Sequence, residues 1–468
     1  FWFNKPKCHF FLAVAVCVLG SGFQHGFHTG VVNTSQNVLE TFINRTQVQR
    51  NGAGFSHGQM SVLWASVVSI YCLGATVGSF FISYVAETFG RKRALSANNV
   101  ILVLGVALTC FSYYAKSYEL IIIGRFVIGI NTGLNAGLAP IYLTEIAPKS
   151  IRGATGSTYQ LIVTVAILLS EGLAHPSVLG TSNYWPFLFA LTAVPAVLQS
   201  VGLYFCPETP YFVYKKTKDK QQVEEVLTWL RQVPNVQDEV NLIQTEVDTL
   251  NKSKLTIQEA MNEKVFRQLL VIGIEIVLAR QLCGIHVVIY YSTDLFVLAG
   301  LTTSAAVLST LGVSTVQVIV TGFSLWLVER FGRRPVFLLG IFFLTIVCLL
   351  LTTCLVLQHD HPYLGHVSVF LVLLFIMIYS LGVSSIPWFI VSELFDPGAR
   401  SLANSIATSV NWFVNFVLVL VHLPLEQVMG GYVLVINVVC LVPLLFALRS
   451  MPETKDRTPS QIKSLLAF

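Results

Sequence analysis

Long apolar segments are the feature that most constrains this chain. Twelve such segments, each about 20 residues or longer, are separated mostly by short polar loops. About 20 consecutive apolar residues form a helix that crosses the hydrocarbon core of a membrane, whereas a transmembrane β-strand needs only about ten residues in an alternating pattern. The pattern therefore predicts twelve membrane-spanning helices. They cover residues 10–32, 60–85, 95–115, 120–143, 154–174, 184–205, 266–298, 304–328, 336–357, 366–391, 401–424 and 429–448.

The composition excludes several classes of protein. Charged residues make up 11% of the 468 residues, whereas a soluble protein carries about 25%. This excludes a soluble enzyme, a nucleic-acid-binding module and a disordered chain. The sequence contains no nucleophile–base pair and no phosphate-binding loop, and its nine cysteines form no CxxC pair. We therefore expect no catalytic residue, no metal site and no cofactor.

The distribution of basic residues predicts the orientation in the membrane. A long polar segment near residues 207–265 divides the spans into six plus six. Of the 29 Lys and Arg residues, 24 fall in segments on the side of the N-terminus, three fall on the other side, and Arg125 and Arg280 lie within spans. Positive charge marks the cytoplasmic side, so we expect both termini in the cytoplasm. The Asn44-Arg45-Thr46 sequon then lies in the first outside loop as a candidate glycosylation site.

Three motifs occur twice, six spans apart. The separations are nearly equal: 242 residues from Gly90 to Gly332, 248 from Glu145 to Glu393, and 245 from Pro207 to Pro452. One offset shared by three unrelated motifs indicates an internal duplication. Parallel six-span repeats are typical of transporters.

The duplicated motifs lie at the cytoplasmic ends of the spans. Their glutamates and arginines can pair between helices and across the two halves, which predicts an inner gate that opens when these pairs break. The alternative is that they are ordinary positive-inside anchors. The predicted gating residues are Arg91, Glu145, Arg152, Glu329, Arg333, Arg334, Glu393 and Arg400.

These motifs resemble those of a known family. Further matching motifs are Gly124-Arg125-Phe126, Tyr159-Gln160-Leu161, Gln281-Leu282-Cys283-Gly284, Tyr290-Tyr291-Ser292-Thr293, Ile386-Pro387-Trp388-Phe389 and Asn411-Trp412-x-x-Asn415. Over essentially its whole length the chain resembles the sugar porter family of the major facilitator superfamily, and most closely the animal facilitative glucose transporters.

The resemblance implies an all-α integral membrane fold with two six-helix bundles, 1–206 and 266–450. It also implies a short intracellular helical domain at 207–265, which leaves 451–468 as a cytoplasmic tail. The implied setting is a lipid bilayer, the plasma membrane, and the implied activity is alternating access for a hexose. Tyr290 and Tyr291 join the implied gating residues.

The resemblance also implies a substrate site formed by Gln160, Gln281, Trp388, Asn411 and Asn415. Amide side chains donate and accept hydrogen bonds, as sugar hydroxyls do, and an indole can cover an apolar face of the sugar ring. Without the family resemblance, each buried amide is more typical of a hydrogen bond between helices than of a substrate contact.

Four further candidate site residues depart from the glucose carriers. They replace Gln, Asn, Asn and Glu in that order: Arg280, His286, Gln317 and Ser380. The sequence therefore leaves glucose, fructose and an anion such as urate open as substrates. Arg280 either pairs with an acid, Glu171 or Glu275, or borders the cavity.

Two questions about mechanism stay open in the sequence. Proton-driven relatives carry Asp on span 1 where this chain has His28, which favours downhill uniport, although a histidine can titrate near neutral pH. A sugar sensor with the same fold is the alternative from another functional class. Nothing in the sequence indicates a nucleic acid as a partner.

Overall fold

The computed structural model describes residues 8–175, 177–233, 235–251, 262–286, 293, 296–297, 300–358, 360–361, 363–457 and 459–466. Within these residues every regular element is a helix. A helix satisfies its backbone hydrogen bonds internally, so it is the form that isolated apolar segments take in lipid. The all-helical prediction is confirmed. Eleven described helical stretches, some of which join two of the helices given below, are long and apolar enough to cross a membrane.

The helices of the first half follow the predicted spans. They are α1 (Cys8–Asn51), α2 (His57–Phe80), α3 (Ile82–Phe89), α4 (Arg91–Ala115), α5 (Tyr118–Ile146), α6 (Arg152–Leu173), α7 (Trp185–Ala190) and α8 (Ala193–Phe205). Span 1 continues far beyond its predicted end. Span 2 is interrupted at Phe81 and span 6 between α7 and α8, where Pro195 has no N–H to bond the carbonyl of Leu191.

Three short helices follow the first half: α9 (Pro210–Thr217), α10 (Lys220–Arg231) and α11 (Gln237–Asn251). They share a small apolar core that includes Tyr214, Leu227 and Val240. A polar segment without a membrane around it needs such a core, since otherwise nothing offsets the entropy lost on ordering it.

The second half repeats the arrangement of the first. Its helices are α12 (Lys264–Leu282), α13 (Thr303–Phe331), α14 (Arg333–Leu357), α15 (Tyr363–Ile378), α16 (Ile386–Leu394), α17 (Pro397–Met429), α18 (Val433–Ala447) and α19 (Pro459–Leu466). A π-helical turn, Tyr379–Val383, separates α15 from α16 and interrupts predicted span 10. Pro387 explains the interruption, because it leaves the carbonyl of Val383 without its usual donor.

The halves meet along two pairs of helices, α2 with α17 and α6 with α13. Within the first half, α1 packs on α6 and α2 on α5 at close range. At Gly26 an added Cβ would collide with the carbonyl of Val163, and at Gly133 it would collide with that of Ala75. Gly26 belongs to a glycine stripe of span 1, Gly22, Gly26 and Gly30, and Gly133 to a glycine stripe of span 4, Gly129, Gly133 and Gly137. Small residues four positions apart let helix backbones come close together.

Candidate substrate site and inner gate

An aromatic cluster occupies the junction of the two halves. His25 of α1 lies against Trp388 and Trp412, with ring centroids 5.5 and 5.1 Å away, and Tyr159 lies 5.7 Å from Trp388. The His25 Nδ1 and the Tyr159 hydroxyl are 3.0 Å apart. Four helices from both halves thus supply one surface of rings.

Two predicted site residues join the halves directly. The Trp388 Nε1 donates to the Gln160 Oε1 at 2.7 Å, linking α16 to α6. Both side chains are buried, at 6% and 3% exposure. The predicted indole and the predicted amide therefore share one location.

A second group of predicted residues lies on the other side of Trp388. The Gln281 Nε2 donates to the Asn411 Oδ1. The same oxygen accepts from the Arg280 NH1 at 3.1 Å, and the Arg280 guanidinium lies 4.6 Å from the Trp388 ring centroid. A narrow cavity adjoins them, lined by Val277, Pro387, Trp388, Asn404, Thr408 and Asn411.

Several predicted site residues have buried polar atoms without a hydrogen-bond partner in the described part of the chain. These atoms are the Arg280 Nε, Gln281 Oε1, Gln317 Nε2, Ser380 Oγ and Asn411 Nδ2. Buried polar groups in folded proteins almost always have partners. Three of these atoms, on Arg280, Gln281 and Asn411, belong to the group beside Trp388, and their unused hydrogen-bonding capacity points to a polar ligand there.

Two remaining predicted residues occupy different surroundings. Asn415 stays at the junction of the halves, where its Oδ1 accepts from the Cys72 Sγ at 3.5 Å. His286 instead lines a separate cavity with His422 and Asn437, between the end of α12 and helices α17 and α18.

Residue-by-residue reasoning missed part of the aromatic surface. Tyr159 and Trp412 belong to motifs shared with the family and lie next to Gln160 and Asn411, but the sequence did not identify them as site residues. His25 stood next to Gly26 in the glycine stripe of span 1. An imidazole on the close-packed face of a membrane helix was the available signal, because polar residues there face the bundle interior.

The inner end of the bundle is the end that the distribution of Lys and Arg predicts to be cytoplasmic. In the first half, the Arg91 NH2 pairs with the Glu145 Oε1 at 3.1 Å and the Thr209 Oγ1 donates to the Glu145 Oε2 at 2.6 Å. The Glu208 carboxylate accepts from the backbone N–H groups of Arg91 and Lys92 at 3.1 Å. Burial raises the pKa of Glu208 above its ordinary value, against the opposing effect of these N–H groups.

The second half repeats these contacts. The Arg333 NH2 pairs with the Glu393 Oε1 at 3.1 Å, and the Thr454 Oγ1 donates to the Glu393 Oε2 at 2.6 Å. The Glu453 carboxylate accepts from the backbone N–H groups of Arg333 and Arg334 at 3.0 Å. The duplicated motifs thus form duplicated contacts.

A positive φ explains one glycine in each repeat. Gly90 has a φ of +85° and Gly332 a φ of +92°. Only glycine adopts this conformation without strain. An added Cβ would also collide with the carboxylates of Glu208 and Glu453, respectively. These glycines let each carboxylate reach the first turn of α4 or α14.

Several contacts between described residues connect the halves at the inner end, and three of them involve glutamates of the duplicated motifs. The Ser401 Oγ donates to the Glu87 Oε1 at 2.6 Å, and the Ala154 N–H donates to the Glu329 Oε1 at 2.7 Å. The Arg400 NH1 lies 3.7 Å from the Glu145 Oε1. Glu87, at the end of span 2, therefore contacts the start of span 11. Glu329, at the end of span 8, contacts the start of span 5.

Charge keeps Glu87 ionised at this junction. Burial alone would raise the pKa of Glu87, but Arg91 and Lys215 outweigh it and hold the pKa below its ordinary value. The carboxylate therefore accepts from Ser401 throughout the physiological pH range.

Other predicted gating residues differ in placement. The Arg334 NH2 donates to the carbonyl of Arg449 at 2.8 Å, within its own half. Arg152 begins α6 and is half-buried. Tyr290 and Tyr291 lie outside the described residues. The candidate glycosylation residue Asn44 is on α1, and its Oδ1 accepts from the Phe55 N–H at 3.0 Å.

A buried acid connects the halves near the opposite, outer end. The Glu171 carboxylate accepts from the Asn33 Nδ2 at 3.2 Å and from the Ser314 Oγ at 2.5 Å. Ser314 belongs to α13, so this contact crosses from one half to the other. Contacts between the halves are thus present at both ends.

Comparison with known proteins places the chain in a family. The family model described as "Sugar (and other) transporter" matches residues 13–466. Solute carrier family 2, facilitated glucose transporter member 4 of Mus musculus is 38% identical over 459 residues, which are 97% of this chain and 90% of that protein. Member 1 of Gallus gallus is 34% identical over 461 residues, which are 98% of this chain and 94% of that protein.

Solved structures share the fold. The proton:xylose symporter XylE bound to 6-bromo-6-deoxy-D-glucose superposes with a TM-score of 0.84 at 24% identity, covering 98% of this chain and 99% of that one. The inward open conformation of XylE from E. coli gives 0.73 at 22% identity, covering 97% and 99%. The twelve-helix major facilitator architecture is thereby confirmed, and the chain is an integral membrane transporter rather than an enzyme. With its family model matched from residue 13 to residue 466 and its relatives alike along nearly their whole length, the chain belongs to the sugar transporter family.

Proposed function

We propose that this protein is a facilitative uniporter of hexoses, glucose and/or fructose, that works by alternating access. The observation that supports this most is the set of polar atoms beside Trp388, on Arg280, Gln281 and Asn411, that have no hydrogen-bond partner among the described residues. Relatives named as facilitated glucose transporters match over nearly the whole chain.

The chemistry of the site suits a sugar. A hexose presents hydroxyls on all sides, and each hydroxyl donates one hydrogen bond and accepts others. The open Gln281 oxygen and Asn411 nitrogen offer one acceptor and one donor. The Trp388 indole supplies an apolar surface for the ring, and its Nε1 already positions Gln160.

Alternating access needs contacts that break without leaving bare charges. Opening the inner end would break the bonds from Ser401 to Glu87 and from Ala154 to Glu329. Each glutamate keeps an arginine of its own half, Arg91 or Arg333. The cost of opening therefore stays moderate, since removing the only partner of a buried charge is what costs several kcal/mol.

Position 28 supports uniport. Here a histidine occupies the place where proton-driven relatives carry Asp, and its Nε2 lies 3.1 Å from the Thr192 hydroxyl. The neighbouring Arg125 donates to the backbone carbonyls of Val67 and His28. Neither contact needs an acid that gains and loses a proton.

One observation favours proton-coupled transport as a second candidate. Glu171 is a buried carboxylate between the halves, and its described hydrogen-bond partners are neutral. An acid in that position can take up a proton in one conformation and release it in the other. The solved relative XylE is named as a proton:xylose symporter.

The proposed setting follows from the predicted orientation. We place the protein in the plasma membrane with both termini in the cytoplasm, and we propose glycosylation at Asn44 on the outside. The same orientation puts residues 207–265 in the cytoplasm between bundles 1–206 and 266–450, with 451–468 as the tail.

Uptake into proteoliposomes tests the function. Radiolabelled glucose, fructose and urate are offered with and without an imposed pH gradient. Uniport of a hexose predicts uptake that stops at equal concentrations and ignores the gradient. Accumulation driven by the gradient would establish symport instead, uptake of urate alone would replace the hexose assignment, and saturable sugar binding without uptake would indicate a sensor.

A further inference from the structure

Arg280 has no acidic partner in the described part of the chain. It lies in the last turn of α12 with 8% exposure, and no described carboxylate is within ion-pair distance of it. Neither of the two acids that the sequence offered pairs with Arg280: Glu171 bonds Asn33 and Ser314. The Oε2 of Glu275 is buried without a hydrogen bond. The structural pairing that the sequence left open is therefore absent.

The described groups that contact Arg280 are neutral. The guanidinium donates to the Asn411 Oδ1 and stacks over Trp388, and the Tyr379 hydroxyl lies beside it. Its Nε has no acceptor. Arginine stays protonated in proteins, so a full positive charge sits in the site. A cation in a membrane protein usually faces a partner or a water-filled path.

The nearby unpartnered groups are mostly donors. A guanidinium only donates, so the Asn411 amide must turn its oxygen to Arg280, and this leaves the Nδ2 directed elsewhere. That Nδ2 and the Arg280 Nε are both buried donors without an acceptor among the described residues. A ligand rich in acceptors and carrying a negative charge would complement them.

We propose that the substrate site takes a hexuronate, a sugar with a carboxylate at C6, and that this carboxylate pairs with Arg280. This inference rests on the proposed sugar transport and specifies a substrate class for the same site. A hexuronate keeps the hydroxyls and ring of a hexose, so the aromatic cluster and Gln281 serve it as they serve glucose. The carboxylate adds the negative charge that no described side chain supplies to Arg280.

Paired uptake of D-glucuronate and D-glucose tests this. The reconstituted wild-type protein should transport both, and glucuronate should compete with glucose. Because glucuronate carries charge, an inside-positive membrane potential should speed its uptake and leave glucose uptake unaffected. Glucose uptake without glucuronate uptake or competition would overturn the proposal, whereas uptake of neither sugar would refute sugar transport itself.

Variants locate the charge. Arg280→Gln should lower the ratio of glucuronate to glucose uptake roughly 10- to 150-fold, the value of a hydrogen bond to a charged group. Arg280→Lys keeps the charge and should retain more of the ratio. Arg267→Gln makes the same charge change at an exposed position of α12 and should leave the ratio unchanged. An unchanged ratio in Arg280→Gln would contradict the assignment. If that variant does not fold, competition between glucuronate and glucose and the effect of membrane potential, both measured on the wild-type protein, still test the proposal.

Discussion

Gln160 accepts a hydrogen bond that joins the two halves at the candidate substrate site. Replacing it by leucine removes the acceptor of the Trp388 Nε1 and leaves that buried donor unsatisfied. The leucine also removes the hydrogen bond that we propose Gln160 makes with the sugar. Losing one partner of a desolvated hydrogen bond costs about 1–3 kcal/mol, so we expect hexose affinity to fall roughly five- to 150-fold. Equilibrium binding of radiolabelled hexose measures this.

The control makes the same substitution where no site exists. Gln268→Leu lies on an exposed face of α12 and should bind hexose as the parent protein does. Equal affinity of Gln160→Leu and Gln268→Leu would remove Gln160 from the site.

At the residue scale the sequence predicted several of the side chains that lie together at the candidate site. Gln160, Gln281, Trp388 and Asn411 converge, because motif residues inside apolar spans must face the protein interior. His286 lines another cavity, since it follows the end of α12, where helical periodicity no longer fixes its direction. The sequence also left the partner of Arg280 open, because depth along a span does not specify which acids share a face.

At the element scale, close contact of α1 with α6 depends on glycines, and Gly26 allows the closest approach of the two backbones. A Cβ at Gly26 would collide with the carbonyl of Val163. We expect Gly26→Ala to separate the helices and destabilise the protein by about 1–3 kcal/mol, the usual cost of overpacking. Thermal unfolding in detergent would show a lower Tm.

Gly172→Ala is the matched control on α6. An added Cβ there meets nothing within 4 Å. Alanine is a better helix former than glycine by about 1 kcal/mol, so its Tm should be unchanged or higher. A parental Tm for Gly26→Ala would show that the helices have room to spare.

Helix existence was predictable at this scale, but helix continuity was only partly so. Proline marks the interruptions near Ala193 and Ile386, and both prolines are visible in the sequence. The break at Phe81 has no proline or glycine beside it, and it places α3 so that Glu87 faces Ser401. Gly78 and Ser79 come just before the break, and the Ser79 Oγ donates to the carbonyl of Ala75 at 2.7 Å. Such a pair can bend a helix, but it is a weaker signal than a proline.

At the scale of the whole molecule, Ser401→Ala isolates one inner contact between the halves. It removes only the donor to the Glu87 carboxylate. We expect the inner end to open more often, by about 1 kcal/mol or roughly fivefold in population. Spin-label distances between the inner ends of α4 and α17 report the populations. Ser450→Ala, whose exposed hydroxyl bonds only within its own turn, should leave them unchanged.

The duplication explains why the whole-molecule pattern was more predictable than any single site. An offset near 245 residues implied that contacts of the first half recur in the second, as Arg91–Glu145 and Arg333–Glu393 do. The cross-half contacts follow the same symmetry. Their partners, Ser401 and the Ala154 N–H, carry no motif, so only the packed structure identifies them.

Contacts at both ends predict opposing effects on one equilibrium. Ser314→Ala removes the donor to Glu171 near the outer end, and we expect the outer end to open more often. Ser401→Ala should favour the inner-open state. A protein that alternates between two states responds only to the difference in their free energies, so the double variant should return to the parental populations.

Additivity makes this prediction strict. The two sites lie at opposite ends and share no partner, so their effects should add within about 0.5 kcal/mol. Spin-label distances at both ends, in the two single variants and the double variant, measure the three shifts under one condition. If both single variants opened the same end, or if the double variant opened both ends at once, the two ends would not be coupled, and alternating access through these contacts would be wrong.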